Sequence, residues 1–239
     1  QGFTELEITP FALPLERLID AAKKTILKHH KEGKLFGTKK NQDDESEPLK
    51  PVELLESDPL WINEEYRDAD ISGKLIYYPK SYNEDHQGKT KLELLEESKT
   101  TPFSGFNVYL REKSIIIPKE SKGKVQADRL RLQTNTSSEG YLNAFQNREE
   151  YKNEHGQTLE DWLTQLLTYL EKHNQIIDSR QNYGSSNNLV GSYHDGWVLH
   201  VGWIYFTGGF HVEIDGGDPW NNNPNFGSRP VVKIPSKMA

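Results

Sequence analysis

The chain has 239 residues, 34% of them hydrophobic and 27% charged, with a formal net charge of -7 and no cysteine. Such a length buries a sizeable core as one large domain or two small ones. The acidic balance argues against nucleic acid as the main partner, the missing thiols exclude disulfides, thiolate metal sites and cysteine nucleophiles, and no apolar run is long enough to span a bilayer.

Gln1-Gly2 opens the chain where a methionine would stand; it reads as the scar of a cleaved purification tag and is set aside. Without the native start, targeting is unreadable, although the absence of cysteine suits a reducing compartment. Pro14 to Glu32 has the spacing of a helix, with Leu15, Leu18, Ile19, Ala22 and Ile26 on one face and Gly33 to stop it. Gly37 to Pro51 has almost no apolar content and is expected to be an exposed or mobile loop. Short β-rich runs at Lys74 to Tyr78, Phe106 to Leu110 and Ser114 to Ile117 predict strands, and Ser81 to Lys91 predicts a polar loop.

A second helix is marked by Leu159, Trp162, Leu163, Leu166, Leu167 and Leu170, which form a wide apolar stripe. Thr158 with Asp161 has capping-box spacing, and Lys172 and His173 stand where the helix dipole favours cations. After Arg180 the composition changes: Gln181 to Ser228 contains no lysine or arginine and is rich in glycine, asparagine and aromatics, except that Arg180 itself borders it. Trp197 to Phe206 alternates, with Trp197, Leu199, Val201, Trp203 and Tyr205 on one side. Thr207-Gly208-Gly209 then turns the chain into Phe210 to Ile214, a hairpin pattern. Gly216 to Gly227 predicts a loop. No repeat of fixed period is visible.

Three chemistries compete for Tyr193 to Trp220. His211 and Glu213 share one strand face, and with His200 or His194 they would supply the two-histidine, one-carboxylate set of a non-haem iron centre. That set would make the protein a metal-dependent oxygenase, but its third ligand has no fixed spacing, and the same side chains equally suit the solvent face of a hairpin. Nucleotide-binding glycine motifs, a P-loop and a nucleophile elbow are missing. Asp215-Gly-Gly-Asp218 lacks the remaining ligand spacing of an EF-hand loop, and no carboxylate pair stands out for glycoside hydrolysis. A recognition surface fits the palette better, since aromatics supply contact area at low entropy cost while Asn, Ser and Gly adapt hydrogen bonding. Trp197, Trp203 and Trp220 are then expected to be buried anchors beneath it.

The closing stretch Asn225-Phe-Gly-Ser-Arg-Pro-Val-Val-Lys-Ile234 resembles the Gly-x-Arg-Pro-hydrophobic strand of C-type-lectin-fold domains of the formylglycine-generating-enzyme type. Taken with Gly156-Gln-Thr-Leu-Glu-Asp-Trp-Leu-Thr, Asn174-Gln-Ile-Ile-Asp178 and Gly191-Ser-Tyr193, the last third is similar to variable proteins of diversity-generating retroelements, known from archaeal viruses and small-genome microbes. Ser228 departs mildly, because the family's commonest endings put an apolar or small residue there. In that family a reverse transcriptase copies a template with errors at adenines, and Asn codons ending in a pyrimidine are the usual targets. Such exchange cannot produce Trp, Lys, Gln, Glu or Met. From Asn182 to Ser228 every residue lies in the permitted set except Trp197, Trp203, Glu213 and Trp220, which would be framework.

The resemblance implies an α+β, C-type lectin fold with short strands, two main helices and a C-terminal variable hairpin and loop surface. Residues 1–50 would form a helix and polar loop packing on a main domain of 51–239, with the variable region at about 182–234. The function it implies is binding of a protein or other cell-surface ligand, without catalysis, cofactor or lectin-type calcium; a virion or cell-surface location is expected, with the cell interior open. The candidate ligand-binding residues begin with Tyr193, His194, Asp195, Val198, His200 and Gly202. Tyr205, Phe206, Phe210 and His211 continue the set around the hairpin turn, and Asp215, Asp218, Asn221 and Asn223 complete it. Arg229 is implied to be framework, bonded to backbone or acid, and Pro230 to begin an edge-tolerant strand, Val231 to Ile234.

Overall fold

The computed structural model describes residues 2–40, 44, 46–126, 129–181 and 184–234. The chain is α+β. Strand β1 (Phe3–Thr9) leads into helix α1 (Leu15–Lys31), followed by β2 (Leu60–Ile62), β3 (Ile76–Tyr77), β4 (Lys89–Thr90) and helix α2 (Lys91–Ser98). The middle holds β5 (Asn107–Glu112), β6 (Val125–Gln126), β7 (Arg129–Leu130) and helix α3 (Ser138–Asn147). Then come β8 (His155–Gly156), helix α4 (Leu159–His173), β9 (Ser186–His194), β10 (Trp197–Phe206), β11 (Gly209–Gly217), β12 (Phe226–Gly227) and β13 (Pro230–Lys233).

Both long helices form where their apolar spacing predicts. The five expected residues of α1 are buried, and Gly33 at φ +66 provides the left-handed exit. In α4 the Thr158–Asp161 capping box is complete, and Asn174 ends the helix at φ 57. Their stripes meet the inner face of β10 and β11 in one core, where Leu199, Val201, Trp203, Val212 and Ile214 are fully buried. At roughly 2 kcal/mol for each large apolar side chain removed from water, this core is the main source of stability.

The strands form a seven-stranded sheet in the order β2-β11-β10-β9-β3-β4, with β12 added on β9, and a four-stranded sheet in the order β1-β5-β13-β8; β6 and β7 pair separately. First and last strands thus flank the same neighbour, β5, and both run antiparallel to it. A smaller core lies on the other side of β9 and β10, where Tyr141, Leu142 and Phe145 of α3 pack with Tyr82, Val190, Tyr193 and Val198.

Several expectations need correction. Ser114 to Ile117 is no strand: Ile115 and Ile117 are buried, but the segment is stapled by Arg229, which donates to the Ile115 carbonyl, and not by a β-ladder. The predicted strand at 74–78 shrinks to two residues. The expected loop at 81–91 ends in β4 and the first residue of α2, Lys91, whose buried ammonium bridges Asp70 at 2.7 Å and Glu160 at 3.0 Å. Residues 216–227 are not all loop, since β11 runs to Gly217 and β12 follows. Gly37 and Thr38, at the base of the expected open loop, are buried, with the Thr38 hydroxyl donating to the Ile176 carbonyl; residues 41–43 and 45 of that loop lie outside the described residues. Finally, β13 is an inner strand between β5 and β8. Pro230 is tolerated because it opens the strand, where its missing N–H costs little.

Candidate recognition surface

Two tight turns build the C-terminal sheet. Asp195 and Gly196, at φ 44 and 88, connect β9 to β10 with Trp197 opposite His194. Positive φ at both central residues is what a type I′ hairpin needs, and Asp-Gly is a preferred pair for it. Thr207 and Gly208, at φ 23 and 102, connect β10 to β11. The register sets His200 opposite Asp215, Gly202 opposite Glu213 and Ile204 opposite His211, so these six share one face. Trp61 of β2 is paired with Glu213 and joins that face at its edge.

The structure divides the candidate residues into three groups. Asp195, Tyr205, Phe206, Asn221 and Asn223 are exposed, Tyr205 and Phe206 at 51% and 55%. His200, Phe210, Asp215 and Asp218 are half-buried. Tyr193, His194, Val198, Gly202 and His211 are buried, contrary to their expected place on an open surface. Tyr193 and Val198 belong to the smaller core because α3 covers that end of the face. His194 sits edge-on to the Tyr66 ring at 5.2 Å, and His211 lies beneath the stacked ring of Phe206 at 5.8 Å. At Gly202 a Cβ would come within 2.6 Å of the Ser186 hydroxyl oxygen and 3.0 Å of the Asp178 carbonyl oxygen, so the backbone itself fills the space. Of the three tryptophans expected to be buried anchors, only Trp203 is one; Trp197 and Trp220 are 47% and 59% exposed.

Around His200 the half-buried face carries charge. Arg180 lies over the Phe226 ring at 4.5 Å, donates to the Ser186 hydroxyl at 2.6 Å and stands 3.7 Å from Glu213. The neighbouring His200 imidazole, 3.9 Å away, and then Arg180 hold the Glu213 carboxyl below its usual range against the opposing effect of burial. His211 turns instead toward Asp58, 3.9 Å away. Among the described residues no three His, Cys, Asp or Glu side chains gather closely enough to hold a metal ion, so the iron-type set of His200 or His194 with His211 and Glu213 is not assembled.

Beneath the surface the frame is tied by buried polar contacts. Arg229 donates twice to Asp178, at 2.6 and 3.0 Å, and Asp178 also accepts from the Trp162 indole at 2.8 Å. Asn187, inside the region read as variable, accepts from the Arg229 backbone N–H at 3.0 Å and donates to Gln157 at 2.9 Å. Arg229, expected to bond backbone or acid, bonds both, since it also donates to the Ile115 carbonyl. At the opposite end of the sheet, the Asp195-Gly196 turn forms one lip of a cavity of about 1070 Å³. Its other walls come from Glu64, Glu65, Asp68 and Glu84, residues that sequence reasoning did not single out because they lie far away along the chain. The Asp-Gly pair was the one available signal for that end of the site. No family model, curated protein or solved structure matches the chain.

Proposed function

We propose that this chain is a recognition module of C-type lectin type, whose C-terminal residues are exchanged by adenine-directed copying from a retroelement template. One observation carries the reading: the Thr207-Gly208 turn presents Tyr205 and Phe206 to solvent directly beyond a strand segment whose inner residues are fully buried. Exposed aromatics on a rigid hairpin are the material of binding hot spots, and their replacement leaves the folding core untouched. The near-absence of adenine-inaccessible residues between Asn182 and Ser228 supports exchange there. Trp203 as core and Glu213 beside Arg180 suit their assignment as framework. The placement of β13 beside β5, with Arg229 clamped to Asp178, suits a closing Gly-x-Arg-Pro strand. The ligand class is a protein or another cell-surface molecule, met at a virion or cell surface.

Two experiments test this. In the DNA beside the gene, a near-copy of the 3′ end differing only at adenines, next to a reverse transcriptase, is expected; its absence overturns the diversification. A library with pyrimidine-ending random codons at Tyr205, Phe206, Phe210, Asn221 and Asn223 should remain mostly protease-resistant. If it loses folded members as heavily as the same library at Leu199, Val201 and Trp203, these positions are not a display surface.

A further inference from the structure

We propose that the cavity between helix α2 and the end of the four-stranded sheet binds an amphipathic carboxylate, a hydrocarbon body carrying one acid group. This goes beyond the recognition reading and shares no residue with the surface proposed for it. The cavity holds about 510 Å³, within the range of roughly 300–1,000 Å³ usual for small-molecule sites. Its walls are mainly apolar, built from Phe11, Leu94, Leu95, Phe103, Phe106 and Ile234. Folded interiors leave few voids larger than a water molecule, and an apolar space of this kind takes an apolar guest. Phe106 is still 50% exposed there, so a guest that covers it removes further apolar surface from water.

The polar side chains of the lining are satisfied within the protein, with one exception. Ser98 donates to the Leu95 carbonyl at 3.0 Å, Thr101 to the Ser98 carbonyl at 2.8 Å and Asn107 to the Tyr78 hydroxyl at 3.1 Å. Among the described lining residues the one acid is Glu97, and Lys89 holds both of its oxygens, at 2.5 and 2.7 Å. The one cation is Lys233, whose side chain has no hydrogen bond or ion pair among the described residues. Its ammonium rests 5.0 Å from the centre of the Tyr78 ring. The same tyrosine accepts from Asn107, another lining residue, which places the ammonium at the cavity wall. Burial there pulls Lys233 below the usual lysine range, against the attraction of Asp161 and Glu97. A carboxylate brought to this ammonium gains a charge-assisted contact, whereas an amine meets repulsion and a neutral guest gains neither.

The helical wall is free to adjust. In α2 only Lys91 is fully buried, paired with Asp70 and Glu160, while Leu94 and Leu95 are half-buried and Leu92 is 75% exposed. A helix tied at its first residue and loosely packed beyond it accommodates a guest at small cost.

The test uses the full chain, isotope-labelled, titrated with octanoate, 1-octanol and octylamine. Octanoate should shift the amide resonances of Leu94 to Ser98, Phe106 and Lys233. It should bind about tenfold more tightly than octanol, the factor that one charge-assisted contact supplies. Octylamine should bind no better than octanol. In Lys233→Met, octanoate should fall to the affinity of octanol while octanol itself is unchanged. Lys233 is an exposed residue at the end of β13, and an unchanged amide spectrum elsewhere verifies the fold of the variant. Equal binding of octanoate and octanol overturns the assignment, as does the lack of any response at 94–98. A response as large at Leu6, Ile8, Tyr205 and Phe206 as at the cavity also overturns it, because the acid then coats any exposed apolar side chain. So does a dimer in sedimentation that frees the cavity only on dilution, since a second copy of the chain is then its occupant.

Discussion

Along β10, Leu199, Val201 and Trp203 are fully buried, whereas Ile204 and Phe206 are half-buried and exposed on the other face. Val198, on that same outer face, is as deeply buried as the inner residues, because α3 and Tyr82 close over it. Strand alternation therefore separates two faces, but it does not tell which part of the outer face is free. That is decided by what packs above, and the boundary runs across the strand between Gly202, which is buried, and Ile204, which is half-buried. A recognition surface built here consists of the turn end and the loop beyond β11, not of every outward position.

The comparison breaks most visibly at its buried side. Asp178→Ala removes both Arg229 contacts and the Trp162 bond, leaving a buried guanidinium uncompensated; unfolding in urea should show a loss of about 3–5 kcal/mol. A loss no larger than that of a surface variant would mean the frame lies elsewhere. The frame should also respond to pH at β8. Burial pushes the His155 imidazole down to about 4, from an ordinary value of 6.5. As pH falls below 6.5 the unfolded chain takes up the proton first, so stability is full above that value, declines toward pH 4 and then levels off. The decline should be on the order of 3 kcal/mol at most, and absent from that step in His155→Gln, measured by thermal melts across the window.

Smaller effects sharpen the boundary itself. Gly202→Ala, at a position that belongs to the outer face by register but has no room, should cost about 1–3 kcal/mol through overpacking against Ser186. Tyr205→Ala and Phe206→Ala, only a few residues away, should each change stability by no more than about 0.5 kcal/mol. Equal costs for Gly202 and Phe206 would erase the distinction between covered and open face.

The sequence made legible those elements whose burial follows a simple period. Helices α1 and α4 have unbroken stripes and end signals, and β10 and β11 alternate around a glycine turn. Other elements break the rule for physical reasons. Strand β1 buries Glu7 and Thr9 and exposes Leu6 and Ile8, because Glu7 accepts from buried Arg111 at 2.9 Å; its pattern is inverted. Strand β9 is buried at every position, so it shows no alternation at all. Helix α3 is short, with Gly140 in its first turn, and missing it hid the cover over Tyr193 and Val198. The exposed aromatics of the site were readable from the hairpin. The acidic wall opposite Asp195 was not, since its carboxylates come from segments more than a hundred residues upstream.

The closely packed glycines bear on heredity as much as on folding. Gly202 and Gly209 leave no space for a side chain; at Gly209 a Cβ would lie 2.5 Å from the Leu55 amide nitrogen. A glycine codon that ends in a pyrimidine contains no adenine, so error-prone copying of the kind proposed passes over it unchanged. A template that spells glycine outright at these two positions would shield the chain from its own mutagenesis where the backbone is least forgiving, and most offspring molecules would still fold.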